Sequence, residues 1–334
     1  MTEADHHTVI SYSFPFLSFR PMKSPFLRQY EKQIKCLRRG DPAIQYQTHR
    51  DLLRSKPGLI ESARNRISQA GWGKRLLDLQ EPAGTWGGGL YSPKWTSTFY
   101  TLLLLMRLGT KIDQNIGNAC LLFLDRTLYL DHGINVSVTL NHSDTCVTGM
   151  CLSILCHFQI NDPRLEHLVD FLEKHQMADQ GWNCEIFRGA RHSSFHTTLS
   201  VLEGLWAYEK FTGSERTRKM QEEGMEFLLQ HRFFRSHRTG AVVDPKMTRC
   251  SFPPRWRYDI MRAMDYARDK KIEKEERCLD AIEIIRSKQT RQGYWKLQNK
   301  HPGRVHFDME QPGSVSRWNT LRALRILVWW EGVD

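Results

Sequence analysis

The sequence predicts an all-α protein, a barrel of about six helix pairs of the (α/α)6 type. Three observations predict it. Apolar helices alternate with amphipathic ones, the apolar ones share a recurring outline, and Gly/Trp-rich turns precede several of them. A helix that is apolar all round must be enclosed, whereas a helix with one apolar stripe belongs on a surface. Alternation of the two places the apolar helices in an inner ring and the striped ones around it.

The first, weaker member of the repeat is "GDPAIQYQTHRDLL" (40–53), with Asp41 as N-cap and Pro42 at the first helical position. Five stronger members follow: "KWTSTFYTLLLLMRLG" (94–109), "HSDTCVTGMCLSILCHF" (142–158), "HSSFHTTLSVLEGLWAY" (192–208), "RWRYDIMRAMDY" (255–266) and "SRWNTLRALRILVWW" (316–330). Each has an aromatic or basic lead-in, a small or polar residue, then an apolar run. With Thr98, Asp144, His196, Asp259 and Asn319 as equivalent first-turn positions, the spacings are 46, 52, 63 and 60 residues. Striped helices are predicted at 162–176, 216–234 and 275–289; Leu165, Leu168, Val169 and Leu172 fall at i, i+3, i+4 and i+7. The turns are "AGTWGGGLYSP" (83–93), "DQGWNCEIFRGA" (179–190) and "RQGYWKLQNKHPG" (291–303).

The 334 residues, 40% of them hydrophobic, suffice for a large core. Residues 25–334 are read as one barrel domain and residues 1–24 as a mobile extension without signal-peptide layout, Met22 being an alternative start. Mean hydropathy is −0.53, and apolar runs such as "TLLLLM" are far short of the roughly 18 residues of a membrane span. Eight dispersed cysteines without a CxxC pair read as reduced thiols. A soluble cytoplasmic protein is expected. The net charge of +11 is spread through amphipathic helices rather than gathered in a Lys/Arg block, which argues against nucleic acid as partner.

First turns of inner helices surround one end of such a barrel, where helix N-termini offer unpaired N–H groups and partial positive charge. Lys94, Arg191, Arg255, Arg257 and Arg317 lead in the helices, accompanied by Trp95, Tyr100, Phe195, Trp256, Tyr258 and Trp318. A basic rim over an aromatic pit suits an anionic head group with an apolar tail, such as an isoprenoid diphosphate. The alternative is that the arginines cap helix ends and the aromatics fill core. Asp144, Cys146 and His196 also fall in first turns. Carboxylate, thiolate and imidazole are good Zn²⁺ ligands, and three of them leave a fourth position open. The plainer reading makes Asp144 an N-cap, Cys146 a core thiol and His196 a backbone-bonded histidine. Cys184 in "GWNCE" is a candidate fourth ligand or reactive thiol, or else a buried turn cysteine.

The Gln-x-x-x-Gly-x-Trp turns, followed by inner helices led by small residues, resemble the α/α-toroid superfamily of squalene and oxidosqualene cyclases and protein prenyltransferase β subunits, over roughly residues 40–330. The resemblance implies a toroid with a central cavity and an enzyme acting on an isoprenoid or similar amphipathic anion. Asp-x-Cys at 144–146 with His196 one repeat later is similar to the zinc site of the prenyltransferases, and implies Zn²⁺ at Asp144, Cys146 and His196. No basic cluster precedes Asp144, unlike in that family, and Val147 follows the cysteine. In a competing register, "NHSDTC" lies on the Asp-x-Asp-Asp-Thr-Ala acid motif of the cyclases. The protonating middle Asp is then Ser143 and the first is Asn141, so acid-initiated cyclisation lacks its acid unless Asp259 or His142 replaces it.

Asp144, His196, Arg257 and Asp259 are therefore the candidate catalytic residues. Trp95, Tyr100, Phe195, Arg255, Trp256, Tyr258, Arg317, Trp318 and Asn319 are the candidate substrate-binding residues, converging on one deep cavity. Two other readings stand beside this one. An (α/α)-barrel carbohydrate enzyme would use Asp259 with Glu310 as its carboxylate pair; a non-catalytic toroid would bind a lipid or protein at its rim.

Overall fold

A computed structural model describes residues 25–332. After the short α1 (Pro25–Arg28), the chain runs through α2 (Glu31–Leu37), α3 (Pro42–Gln47), α4 (Pro57–Asn65), α5 (Gly71–Leu77) and α6 (Thr98–Leu108). It continues through α7 (Gln114–Thr127), α8 (Thr145–His157), α9 (Arg164–Lys174) and α10 (Phe195–Thr212). The last four helices are α11 (Arg218–Gln230), α12 (Ile260–Lys270), α13 (Leu279–Ser287) and α14 (Arg317–Glu331). Strands among the described residues are limited to β1 (Trp295–Lys296) and β2 (Val315–Ser316), paired antiparallel.

Six of these helices close a ring. α6 packs on α8, α8 on α10, α10 on α12, α12 on α14, and α14 on α3 with the π-turn Thr48–Leu52 that extends it. Gln47 completes the circle, donating from Nε2 to the carbonyls of Arg107 (2.9 Å) and Leu108 (3.3 Å) at the end of α6. Each ring helix carries an outer partner: α2 on α14, α4 and α5 on α3, α7 on α6, α9 on α8, α11 on α10, α13 on α12. The fold is thus an all-α toroid of six helix pairs. The inner ring is the predicted set of apolar segments, with the weak sixth member at 42–52.

The Trp turns hold the two rings together by a repeated pair of hydrogen bonds. The indole N–H groups of Trp86, Trp182 and Trp295 donate, each at 2.7 Å, to the carbonyls of Leu76, Leu172 and Ile285, ten residues back on the preceding outer helix. Their own amides donate to the hydroxyls of Thr98, Thr198 and Thr320 on the next inner helix. All three tryptophans are fully buried. An open carbonyl near a helix C-terminus and a loop amide are both satisfied without water. In the repeat lacking tryptophan, the buried Ile134 amide donates to Thr148 at 2.9 Å. Thr98, Thr148 and Thr198 are therefore the equivalent positions, spaced by 50 residues, rather than Thr98, Asp144 and His196. The first residue of a helix was a poor marker because α6 starts at its threonine, while α8 and α10 start three residues before theirs.

Candidate functional site

Several of the predicted rim residues lie at the N-terminal end of the ring, where they pack against one another. Trp95 is buried edge-on against Tyr100 at 4.8 Å, and its indole N–H donates to the Pro302 carbonyl. Arg255 lies 5.5 Å over Trp95, while Arg257 and Lys94 lie over Trp256 at 4.6 and 6.0 Å. Burial lowers the Arg255 guanidinium to about 10. Phe195 packs edge-on against Tyr258, whose hydroxyl donates to the Phe233 carbonyl. Asn319 donates to the Lys296 carbonyl from within the core, and Arg317 is exposed. A space of only about 30 Å³ is left between Trp95, Phe252, Arg255 and the 297–310 loop, room for a water or two. The loop before α14 and the Phe252–Arg255 stretch wall this space.

The carboxylates assigned to acid/base work are helix caps. Asp259, 1% exposed, accepts from the Arg262 amide at 2.7 Å and from Ser251, and pairs with Arg322 at 3.3 Å rather than with Arg257. Glu310 accepts from the amides of Arg317 (2.8 Å) and Trp318 (3.3 Å) and from Ser316. Asp131 does the same for Ser143, and Asp179 for Ser193, each amide at 2.8 Å. Ser143 is thus fixed at the start of α8, and Asp259 and Glu310 anchor the starts of α12 and α14.

His196 is engaged elsewhere. Its Nδ1 accepts the Tyr258 amide at 2.8 Å, and burial followed by Arg262 and Arg257 lowers the imidazole to about 4. A neutral ring whose Nδ1 is an acceptor carries its proton on Nε2, so neither nitrogen offers a free lone pair to a metal. The ligand cluster instead comprises Asp144, Cys146 and Cys184, whose donor atoms all lie within 4.8 Å of one another. Asp144 occupies the N-cap position of α8 but makes no capping bond; burial raises its carboxyl, opposed by a hydrogen bond with Cys184. The Cys184 sulfur accepts from the Cys146 amide at 3.1 Å and from the Thr197 hydroxyl at 3.4 Å. The donor set fits a soft divalent cation.

The large cavity, about 720 Å³, lies on the other side of Phe252 and Trp318, which stack at 4.2 Å as its floor. It runs toward the C-terminal ends of the ring helices, where exposed Arg50, Gln159, Lys210 and Asp269 mark its outlet. Seven cations line it (Arg50, Arg107, Lys210, Arg262, Arg268, Arg322, Arg325) against three carboxylates (Glu203, Asp265, Asp269). Asp51 and Asp259 behind the wall pair with Arg325 and Arg322 and leave an excess of two cations. Burial opposes ionisation of Glu203, yet Arg107 and Arg262 hold it at about 2. Arg262 reaches Glu203 at 2.6 Å and also donates to the carbonyls of Trp256 and Arg257. Burial lowers His157 to about 4, so it faces the cavity neutral. Trp206, Phe211, Tyr266 and Met106 add apolar wall. The Nε groups of Arg107 and Arg325, the Tyr266 hydroxyl and the Trp318 indole N–H are buried without a protein partner.

Apart from Trp318, none of this cavity was assigned from the sequence. A signal was present: "LEGLWAY" and "WNTLRALRILVWW" carry lone charges inside apolar helices. A charge in an enclosed helix must face a partner or a polar space.

No family model matches the chain, and no curated protein matches it. Among solved structures, the type II terpene cyclase MstE from Scytonema in complex with geranylgeranyl dihydroxybenzoate gives a TM-score of 0.48 at 16% identity, covering 93% of this chain and 99% of that one. A second substrate complex of MstE gives 0.45 at 14% identity with the same coverage. Apo MstE gives 0.34 at 12% identity, covering 81% and 98%. The six-pair ring described above rests on the helix contacts themselves. No helix of the described residues is long and apolar enough to cross a membrane.

Proposed function

We propose that the chain is a terpene-cyclase-like or prenyltransferase-like enzyme that takes an isoprenoid or similar amphipathic anion into the central cavity. The single observation that carries this reading is the cavity's composition. An aromatic floor and wall suit an apolar tail, and a guanidinium girdle with an excess of two cations suits an anionic head. A volume of about 720 Å³ holds a ligand of that size. The charge-bearing step fits the departure of an anionic leaving group, such as diphosphate, toward arginines already in place.

Protonation of an alkene fits poorly. A general acid needs a proton to give near working pH, and Glu203 and Asp269 are both held at about 2 by neighbouring cations against the opposing effect of burial. The test is incubation with a prenyl diphosphate, following release of diphosphate and the hydrocarbon product by mass spectrometry. Release above the uncatalysed rate, lost in Arg322→Gln, is expected. Turnover of a neutral polyene such as squalene, with prenyl diphosphates untouched, would contradict the proposal.

A further inference from the structure

We propose that Asp144, Cys146 and Cys184 form an open-sided site for a soft divalent cation of the zinc class, with Cys184 in the position that the Asp-x-Cys…His pattern gives to His196. The inference is independent of the cavity reading. Cys146 and the cavity-lining Cys156 stand ten residues apart on α8, about 15 Å along the helix, so either reading can fail with the other intact.

Four observations carry it. The donor set is one carboxylate and two sulfurs within 4.8 Å of one another. Zinc holds sulfur at about 2.3 Å and carboxylate oxygen at about 2.0–2.2 Å, which sets tetrahedral ligands roughly 3.5–3.8 Å apart, so the group closes by at most about 1 Å. The Asp144 carboxylate is not spent on the helix it precedes, although it stands at the N-cap. The Cys184 sulfur accepts the Cys146 amide in the first turn of α8 and the Thr197 hydroxyl, two hydrogen bonds that fix the sulfur beside the other two donors. His196, the competing third ligand, has both ring nitrogens committed, Nδ1 to the Tyr258 amide and Nε2 to its own proton.

Charge balance favours the exchange. Loading breaks two S–H bonds, forms two metal–sulfur bonds and releases two protons to solvent as one divalent cation enters. The site keeps the net charge of a single carboxylate, and no new net charge is desolvated. Three protein ligands leave the fourth position for water or a substrate atom.

The test is titration of the full chain with cobalt(II), read by sulfur-to-cobalt charge-transfer absorbance, with zinc competition and metal analysis of the zinc-loaded protein. Wild type is expected to take one equivalent and show the band. Cys184→Ser and Cys146→Ala are expected to lose the band, with affinity falling at least tenfold. His196→Ala is expected to keep both band and stoichiometry. Thermal unfolding of each variant establishes that it is folded, and Asp144→Asn, which alters no sulfur, is a further variant expected to weaken binding while retaining the band. Absence of cobalt binding in wild type would overturn the proposal, as would a band abolished by His196→Ala and retained in Cys184→Ser.

Discussion

Glu203 is the one carboxylate shared by Arg107 and Arg262, and with its side chain 11% exposed it answers for one buried guanidinium, Arg262, and one partly buried, Arg107. Removing one partner of a buried ion pair leaves the other charge uncompensated, which costs about 3–5 kcal/mol. Glu203→Gln is therefore expected to lower stability by that amount in denaturant unfolding at pH 7. The pH dependence has a definite sign. Because its carboxyl is lowered from 4.5 to about 2 on folding, Glu203 contributes fully above about pH 4.5, and the contribution is lost as pH falls from there through about 2. Wild type should lose more stability than Glu203→Gln between pH 5 and pH 3; parallel losses would contradict the assignment. Ser143 offers a second test. It donates to Asp131 from a fully buried site, so Ser143→Asp would set two carboxylates together and is expected to destabilise the fold without creating squalene-cyclising activity, read by product analysis.

At the scale of elements, α8 and α10 approach most closely where two glycines face each other. A Cβ on Gly204 would lie 2.3 Å from the Gly149 carbonyl oxygen, and one on Gly149 would lie 2.7 Å from the Val201 backbone. Gly204→Ala is expected to cost about 1–3 kcal/mol through overpacking. Gly58→Ala in α4, with nothing within 4 Å of its Cβ, should be neutral or stabilising by up to about 1 kcal/mol; equal effects in thermal unfolding would show that the close contact is not what matters. Much of this level was legible in the sequence. Segments such as 142–158 and 316–330 contain α8 and α14 almost to the residue, because continuous apolar character requires enclosure whatever the neighbours are. The register between repeats was not legible. It is set by threonine hydroxyls bonding a turn amide, and a threonine inside a helix does not advertise that partner.

For the whole molecule, ring closure by α14 and α3 creates a central space, and long-range packing decides which end is open. The sequence placed basic and aromatic residues at the helix starts correctly, yet nothing local shows that the 297–310 loop and the Phe252–Tyr258 segment fold over them. Asp144 and Cys146 stood out in the sequence by their spacing; the donor atom the fold brings within 4.8 Å of theirs is that of Cys184, while the His196 Nδ1 is turned to the Tyr258 amide. The central claim is that the arginine-lined cavity receives an anionic head attached to an apolar tail. The most direct measurement is the shift in thermal unfolding with a prenyl diphosphate, set against the prenol of equal chain length and inorganic diphosphate. A ligand at 100 times its Kd stabilises by about 2.7 kcal/mol. The prenyl diphosphate is expected to raise the Tm clearly more than either part alone, and Arg322→Gln to remove most of that gain. Equal shifts from the neutral prenol, or no shift from any of the three, would contradict the account.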